Sequence, residues 1–140
     1  MLGLGAGARS YSSALHYSTE FAVSRPGVQG ILQDFTERTG KQFAWADYGC
    51  RLDSEEQRRR YVLKSVLRVD GLSLADYRSH FGTDAFEDLP QLTELLEEEL
   101  GESPDDTLRL NARGFEASDV IGPWLASPSV CSRMESFALR

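Results

Sequence analysis

The chain of 140 residues is 41% hydrophobic and 26% charged, which excludes bulk disorder and leaves room for one domain, or for a small domain with an extension. Its formal net charge of −7 repels phosphodiester backbones, so we expect no nucleic-acid partner. No apolar stretch approaches the roughly 20 residues that cross a bilayer, and the first residues lack a secretory pattern, so we expect a cytoplasmic protein with no membrane partner.

The chain begins with glycines that alternate with small or apolar residues, at Gly3, Gly5 and Gly7. Glycine adopts backbone angles closed to other residues and lets a second molecule approach the main chain closely. With Met1 and Leu2 before them, these glycines predict the end of a buried strand that runs into a loop, with further sequence upstream.

An extended piece and a helix are predicted next. Polar and apolar residues alternate over 11–26, as they do in a short strand. Pro26 fits a first helical turn, and apolar residues then recur at helical spacing from Val28 until Gly40, which is well placed to end the helix. Weak alternation over 41–52 predicts a loop with some extended character.

Two helix starts carry capping signatures. Asp53 and Glu56 have the spacing at which two side chains satisfy exposed backbone N–H groups, and the apolar stripe behind them predicts a helix that Gly71 ends. The sequence SLAD at 73–76 repeats this spacing and predicts a second helix that stops at Gly82. The two segments predict a helix pair.

The remaining elements complete an α+β fold that is mainly α. Inward-facing leucines predict a third helix over 90–100, and alternation over 107–111 predicts a half-buried strand. Apolar residues over 115–125 predict another helix that is broken near Pro123, and 137–139 predict a closing strand or a frayed end. Three helices followed by a strand, a helix and a possible second strand resemble a winged-helix arrangement.

The residue types that bind metals are few and scattered. Cys50 and Cys131 are the only cysteines, and they lack the C-x-x-C spacing of redox and metal motifs. His16 and His80 are likewise solitary in sequence. The residues alone therefore predict no metal site and no catalytic residue, and we expect both thiols to be buried or inert.

Four stretches of the chain form an ordered set. They are LGLGAGARSY at 2–11, RRRYVLKSVLRVDGLSLADYRSHFG at 58–82, LRLNARGFEASDVIGPWL at 108–125 and RMESFALR at 133–140. In this order and spacing they resemble the oxygen-independent coproporphyrinogen III oxidase-like radical SAM family. The resemblance implies a short N-terminal remnant of a partial TIM-like barrel over 1–26, a connecting helix and loop over 27–52, and a winged-helix-like C-terminal domain over 53–140.

The resemblance also implies cofactors. In that family the barrel binds S-adenosylmethionine and a 4Fe–4S cluster, which three cysteines hold in a C-x-x-x-C-x-x-C arrangement. The resulting radical abstracts a substrate hydrogen, and in the coproporphyrinogen oxidases two propionates become vinyl groups. This chain has no such motif, so we expect it to bind no cofactor alone. It is then a non-catalytic part of an oxidoreductase, with the missing N-terminal barrel as its partner and a tetrapyrrole-like substrate.

The glycine-rich segment is the candidate site that the resemblance supplies. It implies cofactor contact for five consecutive residues, which are Gly5, Ala6, Gly7, Ala8 and Arg9. The guanidinium of Arg9 suits a carboxylate on cofactor or substrate. The alternative is a tight turn that only closes the barrel. His16 and Tyr17 are candidates for lining a pocket for a flat ligand, with packing near a domain joint as the alternative.

Other functions stay open at this stage. The chain fits a stand-alone winged-helix-like interaction module, a haem-chaperone-like fragment, or a remnant without function. A part of a larger enzyme should expose apolar surface over 28–35 and around 15–21, where the absent barrel would lie. We expect 53–125 to fold as the compact unit and 1–25 to be loosely attached.

Overall fold

The structure is a computed structural model that describes residues 1–19, 22, 24–46 and 48–136. The described chain divides into two compact units, one built on Met1–Asp53 and the other on Ser54–Glu135. The architecture is mixed α/β: about half of the residues are helical, and each unit has one small antiparallel sheet. The predicted mixed class with a helical majority is confirmed at this level.

The first unit is a three-stranded sheet with one long helix. Strands β1 (Arg9–Tyr11), β2 (Leu15–Ser18) and β3 (Tyr48–Arg51) pair in the order β1-β2-β3, and both pairs are antiparallel. Helix α1 (Arg25–Glu37) and a 3₁₀ turn (Gln42–Ala44) connect β2 to β3. The extended character expected over 41–52 is therefore the third strand of a sheet.

Helix α1 forms for the reasons that its sequence indicates. The Ser24 hydroxyl accepts a hydrogen bond from the Gly27 amide at 3.2 Å, and Pro26 occupies the first turn, where its missing N–H costs nothing. The helix begins three residues before Val28. Two of its apolar side chains remain open to solvent, since Val28 is 40% and Leu32 is 49% exposed.

The start of the chain differs from its prediction. Residues 1–2 do not end a buried strand: the side chains of Met1 and Leu2 are 77% and 76% exposed, and β1 begins only at Arg9. Met1 alone pairs with β1, through its amine to the Tyr11 carbonyl at 2.9 Å and its carbonyl to the Tyr11 amide at 2.8 Å. One paired residue is not a strand, because a ladder needs successive partners. The strand predicted over 11–26 is confirmed for β2.

The second unit contains helices before, between and after the strands of its sheet. They are α2 (Ser54–Val66), β4 (Leu72–Ser73), α3 (Leu74–Phe81), α4 (Ala85–Asp88), α5 (Leu92–Glu97), β5 (Gly101–Glu102), the turn at 103–106, β6 (Thr107–Leu110), α6 (Ala112–Glu116), α7 (Ser118–Trp124) and α8 (Pro128–Glu135). The strands pair antiparallel in the order β4-β6-β5. Leu72 lies opposite Leu108, which brings α2 and α3 onto the sheet.

The predicted helix pair is present, and the cap of its second helix is confirmed, whereas the capping predicted for Asp53 and Glu56 stays a prediction. The Ser73 hydroxyl accepts from the Asp76 amide at 3.1 Å, and Gly82 ends α3 in the left-handed conformation with φ of 74°. Helix α2 stops at Val66, five residues before Gly71. Gly71 instead ends a turn at φ of 75°, and a Cβ there would lie 2.7 Å from a backbone oxygen of β6.

One predicted helix is shorter than expected and another is divided. The helix expected over 90–100 is α5 alone, and the sequence did not predict α4, which ends before Pro90. The helix expected over 115–125 is α6 and α7, joined at Ala117; the break predicted near Pro123 is wrong, because Pro123 lies inside α7. Helix α8 was also not predicted, although the Ser127 hydroxyl caps it by accepting from the Val130 amide at 3.1 Å. The closing strand proposed for 137–139 lies outside the described residues.

A single apolar core holds the second unit together. Its fully buried side chains come from α2, β4, α3, the α4–α5 segment, β6 and the end of α7. They are Val62, Val66, Leu72, Tyr77, Leu89, Leu92, Leu95, Leu108 and Leu125. Trp124 packs partly buried against this core, as expected for a structural aromatic residue. In the described residues, no helix is both long and apolar enough to span a membrane.

A polar clamp adds to this core at the end of α7. The Arg59 guanidinium donates to the Leu125 carbonyl at 3.1 Å, and the Gln91 amide donates to the Trp124 carbonyl at 3.0 Å. Carbonyls at the end of a helix have no intrahelical partner, so these side chains satisfy them. Glu55 holds Arg59 in place through an ion pair of 2.8 Å. The clamp fixes α7 against α2.

Candidate functional site

The glycine loop before β1 has a conformation that requires glycine. Gly5 and Gly7 have φ of 101° and 74°, which side-chain-bearing residues rarely adopt. A Cβ built on either would meet no atom within 4 Å. The backbone angles, rather than close packing, therefore disfavour other residues at these two positions. The space beside both glycines is open.

Hydroxyl groups fix this loop to the sheet of the first unit. The Gly3 amide donates to Ser10 Oγ at 3.0 Å, and the Gly7 amide donates to Thr19 Oγ1 at 2.7 Å. The Ala8 amide turns inward to the Gly5 carbonyl at 3.2 Å. The amides of Gly3, Gly7 and Ala8 already donate hydrogen bonds within the protein and are therefore not available to a ligand. The contact predicted for Gly5 to Arg9 remains a prediction.

Arg9 is the charged member of the predicted site. It is exposed at the start of β1 and forms no ion pair with any residue that the structure describes. Arginines of the second unit, in contrast, form ion pairs with carboxylates; those with measured distances are Arg58, Arg59, Arg68, Arg78, Arg109 and Arg113. Residues 1–53 carry five basic and five acidic residues, so the whole net charge of −7 lies in 54–140. Arg9 therefore stands on a neutral unit, open to an anion.

The register of the sheet assigns side chains to its two faces. Tyr11 lies opposite His16, and His16 lies opposite Cys50, so these three share a face. The rings of Tyr11 and His16 stack with centroids 4.3 Å apart and an interplanar angle of 11°. Tyr17 is on the other face, because successive residues of a strand alternate. The pocket lining proposed for His16 and Tyr17 stays a prediction, with the two side chains on opposite faces of the sheet.

The cavity beside α1 is small. It is lined by Thr19, Ile31, Asp34, Phe35 and Arg38, and its volume of about 30 Å³ admits no more than a water or two. The predicted site residues do not line it. The glycine loop is consequently an open surface that would need a partner to enclose a ligand.

A second polar cluster, around Asp88, joins three helices of the second unit. The Asp88 carboxylate accepts hydrogen bonds from Tyr77 at 2.8 Å and from Thr83, and Nε of Arg58 lies 3.0 Å away. The Arg58 guanidinium also lies 5.7 Å from the ring centroid of Phe81. No sequence pattern indicates this cluster, because its members are up to 30 residues apart. The Asp88 carboxylate has two hydroxyl donors and one cation beside it, an arrangement that suits a structural role rather than proton transfer.

The cluster shifts two pKa values in opposite directions. Burial works to raise the pKa of Asp88, but the hydrogen bonds from Thr83 and Tyr77 and the charge of Arg58 outweigh it and lower the pKa. Burial raises the pKa of Tyr77 well above its ordinary range, and the hydrogen bond to Asp88 adds to this. At neutral pH the carboxylate is thus ionised and the phenol is neutral.

Replacing Asp88 with asparagine should lower the free energy of unfolding of the second unit by about 1–2 kcal/mol at pH 7, because ionic hydrogen bonds become neutral ones. The pKa of Asp88 is lower in the folded state than in the unfolded state, so its stabilisation is complete above the unfolded pKa and is lost as pH falls through the folded pKa. The difference should shrink below about pH 4. Urea unfolding at pH 7 and pH 3 measures it.

The control for this prediction is Asp70→Asn. Asp70 pairs with Arg68 at 3.1 Å, but the side chains are 80% and 70% exposed, so the change should cost less than about 0.5 kcal/mol at either pH. A Trp45→Phe background leaves Trp124 as the single fluorescent reporter of the second unit, because the chain has two tryptophans. A cost for Asp88→Asn that is the same at both pH values would contradict the lowered pKa.

The described residues hold no group of three or more His, Cys, Asp or Glu side chains that could bind a metal ion. Cys50 and Cys131 are free thiols, and both are partly exposed rather than buried. Of the two alternatives expected for the thiols, buried or inert, the first is therefore wrong and the second stays a prediction. Neither the stack of His16 with Tyr11 nor its pairing with Cys50 was predicted, since register between β2 and β3 depends on a connection of about thirty residues.

Comparison with known proteins finds a similarity over most of the second unit. Residues 52–116 match the family model described as the HemN C-terminal domain. The match includes the whole stretch at 58–82 and ends within the stretch at 108–125. No curated protein and no solved structure matches the chain.

Proposed function

We propose that the chain is the C-terminal part of a radical SAM oxidoreductase that resembles oxygen-independent coproporphyrinogen III oxidase, because residues 52–116 match the family model of the HemN C-terminal domain. The family match is the observation that carries the proposal. The reaction class is then tetrapyrrole or haem-related, and this chain contributes to the substrate side without being catalytic alone.

Residues 53–140 would act as a winged-helix-like cover over the barrel opening. The order of elements supports this: helix α2, strand β4, the helices α3 to α5, and the hairpin of β5 and β6 follow one another, with β6 in the centre of the sheet. A radical intermediate must be kept from water and side reactants, which a covering domain achieves.

Residues 1–26 would be the end of the barrel, and 27–52 the connection to the cover. Exposed apolar side chains support a partner at this end: Met1, Leu2 and Leu4 are 77%, 76% and 94% exposed. The side chains of Val28 and Leu32 on the connecting helix are exposed as well. The proposal assigns that surface to the barrel.

The cofactors divide between the two parts. A 4Fe–4S cluster does not fit this chain, because Cys50 and Cys131 are two thiols in separate units and a cluster needs several thiolates at one point. S-adenosylmethionine fits one feature, since its carboxylate suits the exposed Arg9 beside the open backbone of Gly5 and Gly7. We therefore propose Gly5, Ala6, Gly7, Ala8 and Arg9 as a contact to a cofactor that the barrel holds.

Reconstitution in trans tests the proposal. The chain is mixed with a barrel from a HemN-like protein that carries the C-x-x-x-C-x-x-C motif, and formation of 5′-deoxyadenosine from S-adenosylmethionine is measured. We expect the chain to bind the barrel and to increase the rate, and the chain alone to produce none. Failure to bind would favour the alternative of a stand-alone winged-helix-like interaction module, for which the self-contained core of 54–135 is the supporting observation.

Arg9→Gln should weaken binding of S-adenosylmethionine by the assembled protein about tenfold, because one charge-assisted hydrogen bond to its carboxylate is lost. Arg25→Gln is the matched control. Arg25 is also exposed and has no ion pair among the described residues, but it lies at the start of α1. Equilibrium dialysis measures both variants. Equal affinities would remove Arg9 from the proposed site.

A further inference from the structure

Strand β3 forms one edge of the sheet in the first unit. The Leu52 amide donates to the Ala14 carbonyl at 2.9 Å, so this pair, which continues the β2–β3 register, is a hydrogen-bonded one. Hydrogen-bonded and non-hydrogen-bonded pairs alternate along an antiparallel ladder. Cys50 therefore directs its backbone groups toward β2, whereas Gly49 and Arg51 direct theirs to the outer side. Gly49 and Arg51 are both exposed, and no strand pairs with them there within the described residues.

The other edge of this sheet, on β1, is covered by the start of the chain. Met1 pairs with Tyr11 through its amine at 2.9 Å and its carbonyl at 2.8 Å. A Cβ on Gly3 would lie 2.6 Å from the Arg9 carbonyl oxygen, so the chain start also lies against the beginning of β1. In the described part of the sheet, the open edge is therefore that of β3. An edge with unpaired N–H and C=O groups is a template for a further strand.

We propose that this edge binds the same edge of a second copy of the chain, so that two β3 strands pair antiparallel about a twofold axis and join two sheets into one of six strands. Gly49 of each copy exchanges two hydrogen bonds with Arg51 of the other, which uses every outward backbone group of both residues. Cys50 lies on the axis, opposite Cys50 of the second copy, in the non-hydrogen-bonded pair between them.

The side chains of β3 suit this register. Tyr48, Cys50 and Leu52 share one face of the sheet, since successive residues of a strand alternate between faces. Tyr48, which is 41% exposed, lies opposite Leu52 of the second copy, and such cross-strand pairs stabilise a sheet. On the other face, Arg51 lies opposite Gly49, which has no side chain, rather than opposite a second arginine.

Charge also favours an interface on this unit. Residues 1–53 carry five basic and five acidic residues, so two copies do not repel each other through it, whereas 54–140 carry the whole net charge of −7. The interface does not rest on the proposed function, because 48–51 precede the matched segment 52–116. Met1, which that function assigns to the barrel, pairs at the other edge of the sheet.

Sedimentation velocity of the full chain with a thiol reductant tests the association. Because each copy contributes one short strand, we expect a weak dimer, whose share should rise from below about 10% at 10 µM to above about half at 1 mM. A single monomeric species at every concentration up to about 1 mM would overturn the interface.

Disulfide trapping tests the register. In a non-hydrogen-bonded pair the Cα atoms lie about 4.5 Å apart, within the range that a disulfide spans. Oxidised glutathione should therefore link Cys50 to Cys50 of the second copy, with two electrons and two protons passing to glutathione. Cys131 is the internal comparison, because it is the second partly exposed thiol and lies on α8. Links between two Cys50 residues should exceed links that involve Cys131 at least about tenfold by mass spectrometry. Equal yields would indicate random collision and contradict the register.

Two substitutions at Arg51 separate the backbone from the side chain. Arg51→Pro removes an outward N–H and no hydrogen bond to β2, so the dimer share at about 1 mM should fall at least about fivefold. Arg51→Ala keeps this N–H and should dimerise within about twofold of the parent. Protection of the Leu52 amide from hydrogen exchange reports an intact β2–β3 ladder in each variant. Full dimerisation of Arg51→Pro with this amide protected, or an equal loss in both variants, would exclude the backbone edge as the interface.

Discussion

Replacing Gly114 with alanine should destabilise the second unit by about 3 kcal/mol or more, at or above the upper end of the usual cost of forcing a methyl group into a packed core. A Cβ at this position would lie 2.0 Å from the Leu100 carbonyl oxygen and 3.1 Å from the Leu110 Cβ. The Leu100 carbonyl cannot withdraw easily, because it accepts from the Asn111 amide at 3.1 Å. The Gly114 amide is also fixed, by the Asn111 side chain at 3.0 Å.

Gly122→Ala is the matched control. It lies inside α7, and a Cβ there would meet no atom within 4 Å. Alanine is favoured over glycine in a helix by about 0.5–1 kcal/mol. Because Pro123 follows and disfavours helical angles for a residue that carries a Cβ, we expect this variant to lie within about 1 kcal/mol of the parent. Urea unfolding followed by Trp124 fluorescence in the Trp45→Phe background compares the two variants. A loss below about 1 kcal/mol for Gly114→Ala would contradict the close contact.

Gly114 shows where sequence reasoning ends. Its place in the stretch 108–125 marks it as an ordinary glycine near a helix, and nothing in its neighbours identifies Leu100, fourteen residues earlier, as the group that excludes a side chain. The requirement arises only when β5 pairs with β6 and brings the Leu100 carbonyl onto α6. Such contacts depend on tertiary structure and leave no local pattern.

Features that depend on a few neighbouring residues were predicted well. The cap of Ser73 with Asp76, the stop at Gly82 and the strand at 107–111 each follow from chemistry within about four residues, and each is present. The family resemblance is confirmed for the second unit, because the match at 52–116 includes the stretch 58–82.

Other features could not be predicted. Helix α8 has no buried side chain and hence gave no apolar stripe. The position of Asp88 beside two hydroxyl donors and the Arg58 cation joins elements distant in sequence. For the candidate site, the sequence indicated the positive φ angles of Gly5 and Gly7 through the identity of the residues. It could not indicate the partners of the loop amides or the register that places His16 opposite Cys50.

The matched segment ends before the folded unit does. The match stops at residue 116, yet Ile121 and Leu125 beyond it are 3% and 1% exposed in the core of the second unit. The backbone carbonyl of Leu125 also accepts from Arg59 on α2 at 3.1 Å. Helix α7 is therefore a structural part of this unit, and a chain cut after residue 116 would leave the facing side of α2 uncovered.

Leu125→Ala should therefore lower the free energy of unfolding of the second unit by about 2–5 kcal/mol, the cost of removing a buried leucine side chain and leaving a cavity. Val120→Ala, in the same helix but 71% exposed, should change it by less than about 0.5 kcal/mol. Urea unfolding of both variants measures the difference. If Leu125→Ala were as mild as Val120→Ala, α7 would be an appendage, and a chain of 54–116 should then unfold as cooperatively as one of 54–135. We expect only the chain of 54–135 to unfold cooperatively, because Ile121 and Leu125 complete its core.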